Sequence, residues 1–121
     1  MIRPAAILAL LGAAGALHAA VPAKRCGWLE NPTPANWWLT DRHGQWLLSA
    51  QGGYEAAGMD RLPDMTVRGW VTTNGASYGY GCACVSGTFD LRRERVRRIV
   101  RATPLPLARC RMDRSLPRRQ D

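Results

Sequence analysis

The chain has 121 residues and a formal net charge of +8, from 17 lysines and arginines against 9 acidic residues, with four cysteines. That length supports one domain around one core and excludes a multidomain assembly. No apolar run reaches the roughly 20 residues that a membrane span requires, and neither an internal repeat nor a low-complexity tract beyond the arginine bias is present.

Met1-Ile2-Arg3, an apolar run from Ala5 to Leu17 and small residues at Ala19, Ala20 and Ala23 have the layout of a cleavable signal peptide. Cleavage after Ala20 is favoured, with Ala19 and Ala23 as alternatives, so that residues 1–20 form the leader and 21–121 a single periplasmic or secreted domain. Cys26 follows Lys24 and Arg25 rather than small apolar residues, which speaks against a lipoprotein.

From Arg25 to Trp38 the chain carries Trp28, Pro32, Pro34, Trp37 and Trp38. Two closely spaced prolines exclude helix and the tryptophans are too apolar for free solution, so an ordered loop is expected. Trp37–Asp41 and Gln45–Ala50 read as two strands around Asp41-Arg42-His43-Gly44, whose terminal Asp and Gly suit a type I turn. A long connection from Gln51 to Asp64 follows, with a short helical turn. Asn74-Gly75 then signals a tight hairpin between Arg68–Thr73 and Tyr78–Phe89.

In the second arm, strand alternation puts Tyr78, Tyr80, Cys82 and Cys84 on one face and Gly79, Gly81 and Ala83 on the other. So bare a face implies that a large ring, a tryptophan above all, or another backbone lies close against it. Residues 90–101 are compatible with a helix capped by Asp90, since Leu91, Val96, Ile99 and Val100 are suitably spaced. A turn and a strand from Arg95 to Arg101 fit as well, and the strand is preferred because a small sheet needs another paired edge. Pro104, Pro106 and Pro117 make the end irregular, held down by Cys110.

In an oxidising compartment Cys26, Cys82, Cys84 and Cys110 form two disulfides. Alternate residues of one strand lie too far apart to bond, so Cys82 and Cys84 each pair elsewhere, one with Cys26 and the other with Cys110. Both assignments remain open, and both tie the two ends of the domain to one strand. Charge is unevenly placed: Lys24 to Ser86 is neutral, whereas eleven arginines face four acidic residues from Gly87 onward.

Arg25-Cys26-Gly27-Trp28, Asn31-Pro32-Thr33-Pro34-Ala35-Asn36-Trp37-Trp38-Leu39, Trp70-Val71-Thr72-Thr73-Asn74-Gly75 and Tyr78-Gly79-Tyr80-Gly81-Cys82-Ala83-Cys84, with Gln51-Gly52-Gly53 and Pro104-Leu105-Pro106-Leu107, resemble a bacterial family of small exported proteins, domain-of-unknown-function family 4087. The resemblance spans nearly all of the chain after the leader. It implies export, one domain and the four-cysteine framework, and no particular activity.

Candidate chemistry is sparse. His43 is the only histidine after the leader, and turn chemistry explains Asp41-x-His43 better than a base in want of a nucleophile. Cys82-Ala83-Cys84 could exchange disulfides or, with His43, bind metal, but Cys26 and Cys110 supply structural partners. Trp28, Asn31, Asn36, Trp37 and Trp38 could form a stacking and hydrogen-bonding platform, whereas Trp46 and Trp70 are assigned to the core. The arginines from Arg92 to Arg119 could hold an anionic polymer, though no nucleic-acid motif accompanies them.

The expectation is therefore a mostly-β domain, a small antiparallel sheet or barrel closed by two disulfides. It acts as a monomer without catalysis, cofactor or metal, and recognises a protein or envelope component through the Asn31–Trp38 loop. Weak electrostatic attachment to an anionic surface is the alternative, and thiol-disulfide chemistry the third.

Overall fold

The computed structural model describes residue 5, residues 20–75 and residues 77–119. The expected leader, residues 1–20, lies outside the described residues apart from Ala5 and Ala20. Six strands dominate: β1 (Ala20–Thr33), β2 (Asn36–Asp41), β3 (Gly44–Ser49), β4 (Val71–Asn74), β5 (Tyr78–Asp90) and β6 (Arg95–Leu105). A short helix, α1 (Leu107–Arg111), follows, and the long connection carries two single 3₁₀ turns, Met59–Arg61 and Met65–Val67.

The pairings β1–β2, β2–β3, β3–β6, β6–β5 and β5–β1 form a closed cycle, with β4 added to the start of β5. All pairings are antiparallel except β3 to β6, where Leu47 pairs with Arg95 in parallel, so the sheet is mixed.

The ordered loop expected from Arg25 to Trp38 is instead largely β1, which runs antiparallel to β5 from Ala20–Asp90 to Asn31–Gly79. Proline forbids only a ladder donor, and both prolines fall where no donor is needed. Pro32 lies in the irregular stretch between Glu30 and Thr33, beyond the last β5 pair, and Pro34 starts the turn into β2. The β2–β3 hairpin forms as expected. The β4–β5 connection is one residue wider than a two-residue turn: Asn74 pairs with Tyr78, Gly75 takes φ 61°, and the Asn74 side chain donates to the Pro32 carbonyl at 3.2 Å. Residues 95–105 are strand, as preferred, and the C-terminal end gains the helical turn α1.

Inside the ring, Leu29, Leu39, Trp46, Leu48, Val85, Phe89, Val96 and Ile99 form the core. Trp46 meets Phe89 edge-on at 5.3 Å. The bare face of β5 points inward and is covered as its composition implies. A Cβ on Gly81 would lie 3.0 Å from the Trp70 ring, and one on Gly79 would overlap the Val71 carbonyl.

A second cluster lies on the outer face of the same strands, where Trp28, Tyr80 and Cys82 are covered by Cys110 and Leu116. Residues 107–119 therefore cross the outside of β5 and β1 as a strap. The disulfides are Cys26–Cys84 and Cys82–Cys110, which resolves the two assignments left open. The first sits between directly paired residues of β1 and β5, and the second fastens the strap.

Candidate functional site

The residues expected to form a binding loop are divided between the two faces of the sheet. Trp28 lies beneath the strap, 1% exposed, its Nε1 donating to the Pro117 carbonyl at 2.9 Å and its ring edge-on to Tyr80. Asn31 donates to the carbonyls of Thr33 and Asn36, and Asn36 donates to Thr33 Oγ1 while accepting from the Gln51 amide. These amides hold the β1–β2 turn, in which Ala35 adopts φ 60°.

Trp38 stands on the outer face beside Glu30 and donates to its carboxylate, which also accepts from Thr40 Oγ1 and pairs with Arg119. A carboxylate so buried needs such partners. Trp37 points to the opposite side, as alternation requires. It is half-buried, 6.1 Å from Trp70, and borders a concavity of about 280 Å³ with Ser49, Gly52, Glu55 and Met59.

All four cysteines are disulfide-bonded. His43 is exposed in the β2–β3 turn, and its backbone N–H donates to Asp41 Oδ1 at 2.8 Å. Asp41 also accepts from Trp46 Nε1 and pairs with Arg25 at 3.1 Å, and the Arg25 guanidinium stacks on the Trp46 ring. The Asp41 carboxylate thus joins turn to core.

A group of outward basic residues lies on the outer face of β1, β5 and β6, beyond the strap. Partnered residues of antiparallel strands share a face, so Lys24, Ser86 and Arg101 form one row and Pro22, Thr88 and Arg98 the next. β6 contains two bulges in this stretch, at the register shifts between Ser86 and Gly87 and between Thr88 and Phe89. Each inserts an extra residue. As a result the buried positions are Val96, Ile99 and Ala102, three apart, and both residues in each interval are exposed: Arg97 with Arg98, and Val100 with Arg101. The bulges load one short strand with more outward cations than alternation permits.

Gly87 accommodates the distortion. A Cβ there would overlap the Arg98 carbonyl oxygen and stand 3.0 Å from its carbon. On its other side β6 is held by Ala57, whose N–H donates to the Arg97 carbonyl and whose carbonyl accepts from Ile99.

The β5–β6 turn over residues 91–94 continues this basic surface. Asp90 is 4% exposed and accepts from the backbone N–H groups of Arg93 at 3.0 Å and Arg92 at 3.1 Å. The Arg93 amide, aided by the charges of Arg93 and Arg95, holds the Asp90 carboxyl below the usual carboxylate range. Leu91, Arg92, Arg93 and Glu94 are exposed. Sequence reasoning located the arginines but not this clustering, for which the three-residue apolar spacing inside a β segment was the available signal.

No curated protein matches the chain, and no solved structure does. The family model described as a protein of unknown function, DUF4087, matches residues 20–117, from the first residue of β1 to the strap over Trp28, and the chain belongs to that family.

Proposed function

We propose that this is an exported, non-catalytic attachment domain that holds a phosphate-bearing anionic component of the cell envelope on the outer face of β1, β5 and β6. The observation that carries the reading is the double bulge of β6, which gathers Arg97, Arg98 and Arg101 beside Lys24, with the Ser86 and Thr88 hydroxyls between them. Guanidinium groups match phosphate oxygens in pairs, and hydroxyls supply further donors. The two disulfides and the closed ring give this face a rigid support, so little ordering is required on binding.

Long-chain polyphosphate is a suitable probe for the mature protein, residues 21–121. Its affinity should fall steeply from low to physiological salt, and a triple Arg97→Gln, Arg98→Gln, Arg101→Gln variant should lose most of the binding and flatten the salt dependence. Binding that is insensitive to salt, or untouched in the triple variant, refutes the reading.

One observation favours a second reading, capture of a protein or envelope ligand beside the β1–β2 turn: Trp37 remains half-buried at the edge of its concavity. Trp37→Ala would then abolish capture of a partner from envelope extracts without unfolding the domain.

A further inference from the structure

We infer that the component held is the surface of an anionic phospholipid bilayer, and that the tip of the β5–β6 hairpin enters it, with Leu91 among the acyl-chain ends and the surrounding arginines on the headgroup phosphates. This rests on the attachment reading above and adds an apolar contact that a soluble polyanion cannot make.

Three observations support it. Leu91 is 43% exposed in the turn of the longest hairpin, directly before Arg92 and Arg93, and Val100, 53% exposed, lies between Arg98 and Arg101. Aliphatic side chains set singly among arginines suit a water–lipid interface, where the alkyl group is buried and the cation stays with phosphate. A nucleic-acid strand would call instead for exposed rings on which to stack. The rings near this end are taken up: Trp46 and Phe89 are buried, and Tyr54 is covered by Arg95 at 4.0 Å.

The turn is also fixed in shape. Asp90 binds the amides of Arg92 and Arg93 from beneath and pairs with the Arg93 guanidinium at 3.8 Å, keeping its own charge 4% exposed, so that the tip presents Leu91 with Arg92, the still largely exposed Arg93 and Glu94. Arg42 and His43, exposed in the β2–β3 turn, stand at the same end, since His43 and Leu91 border one concavity of about 300 Å³.

Finally, β1 enters the fold at Ala20, opposite Asp90. The N-terminal entry to the domain therefore lies at the same end as the basic tip.

The experiment compares mature protein, residues 21–121, with Leu91→Ser and Leu91→Trp variants. Each is titrated with vesicles of equal parts phosphatidylglycerol and phosphatidylcholine, with phosphatidylcholine vesicles, and with long-chain polyphosphate. Wild type should prefer the anionic vesicles. Leu91→Ser should weaken vesicle binding about tenfold, the loss of one buried aliphatic side chain, and leave polyphosphate binding unchanged. Leu91→Trp should bind vesicles at least as tightly as wild type. Polyphosphate binding without vesicle binding, or equal losses on both ligands in Leu91→Ser, overturns the bilayer inference and leaves the attachment reading standing. Binding to neither ligand overturns both.

Discussion

Replacing Gly87 with alanine tests whether the double bulge is a built feature of the ring. The added methyl would overlap the Arg98 carbonyl oxygen and stand 3.0 Å from the Arg98 carbonyl carbon and 3.2 Å from Ile99 Cα. All three atoms are backbone, so no rotamer change relieves the crowding. Nor can β6 withdraw freely, because Ala57 holds it at 2.9 Å and 2.7 Å from the far side. Overpacking of this kind costs about 1–3 kcal/mol, with the upper part of the range expected where backbone must move. The reduced freedom of the unfolded chain returns about 0.4–1 kcal/mol, leaving a net loss of about 2 kcal/mol.

Gly53→Ala serves as the reference, since its nearest neighbours are Ala50 atoms at 3.8 Å and its φ is ordinary. That variant should stay within about 0.5 kcal/mol of wild type. Urea unfolding of oxidised protein comprising residues 21–121, followed by tryptophan emission, measures both. With an m-value near 1.5 kcal/mol/M, Gly87→Ala should lower the midpoint by about 1.3 M. Equal midpoints for the two variants would mean that the Arg98 carbonyl does not approach Gly87, and the argument for crowded outward arginines would fail with it.

Removal of Cys82–Cys110 by paired serine substitutions opens a 28-residue separation and should cost about 3.6 kcal/mol, whereas removal of Cys26–Cys84, with a separation of 58, should cost about 4.2 kcal/mol. Calorimetry of the two double variants checks the order, and the first should also make Trp28 accessible to a soluble quencher, because the strap that covers it is no longer tied down. Asp90 is predicted to make stability pH-dependent. Its folded pKa is depressed, so the native state binds fewer protons than the unfolded chain; the contribution is present above the unfolded value near 3.9 and is lost as pH falls through the folded one. Asp90→Asn should therefore be less stable than wild type at pH 7 and converge with it in acid. A constant difference in urea midpoint across that range would contradict the assignment.

Much of this architecture is legible in the chain. Asp41 and Gly44 mark the β2–β3 turn, Asn74-Gly75 marks the β4–β5 junction, and the empty side of β5 announces the ring and backbone that cover it. Two features were obscured for opposite reasons. In β1, Pro32 and Pro34 suggest a loop because proline disrupts a ladder, yet they stand at its irregular end and in its closing turn. In β6 the bulges convert a period of two into a spacing of three at Val96, Ile99 and Ala102, which reads equally well as a helical stripe. The candidate site was correspondingly harder to find. Trp28, Asn31 and Trp38 have the composition of a binding surface, but their polar atoms are satisfied by Pro117, Thr33, Asn36 and Glu30. Only pairing across the ring shows which arginines stand together.

The order of the cysteines along β5 has a consequence for assembly. A chain threaded N-terminus first into an oxidising compartment presents Cys82 to the waiting Cys26 thiol before Cys84 has arrived, although the final partner is Cys84. Joining the earlier cysteine corresponds to a slide of β1 along β5 by two residues, which keeps every side chain on its proper face and so is not rejected by burial alone. Cys84 would then be left to trap the strap through Cys110. Under the export proposed above, the product linked 26–82 and 84–110 is the slipped form that thiol reshuffling would clear, and it is the one to look for in a host lacking a disulfide isomerase.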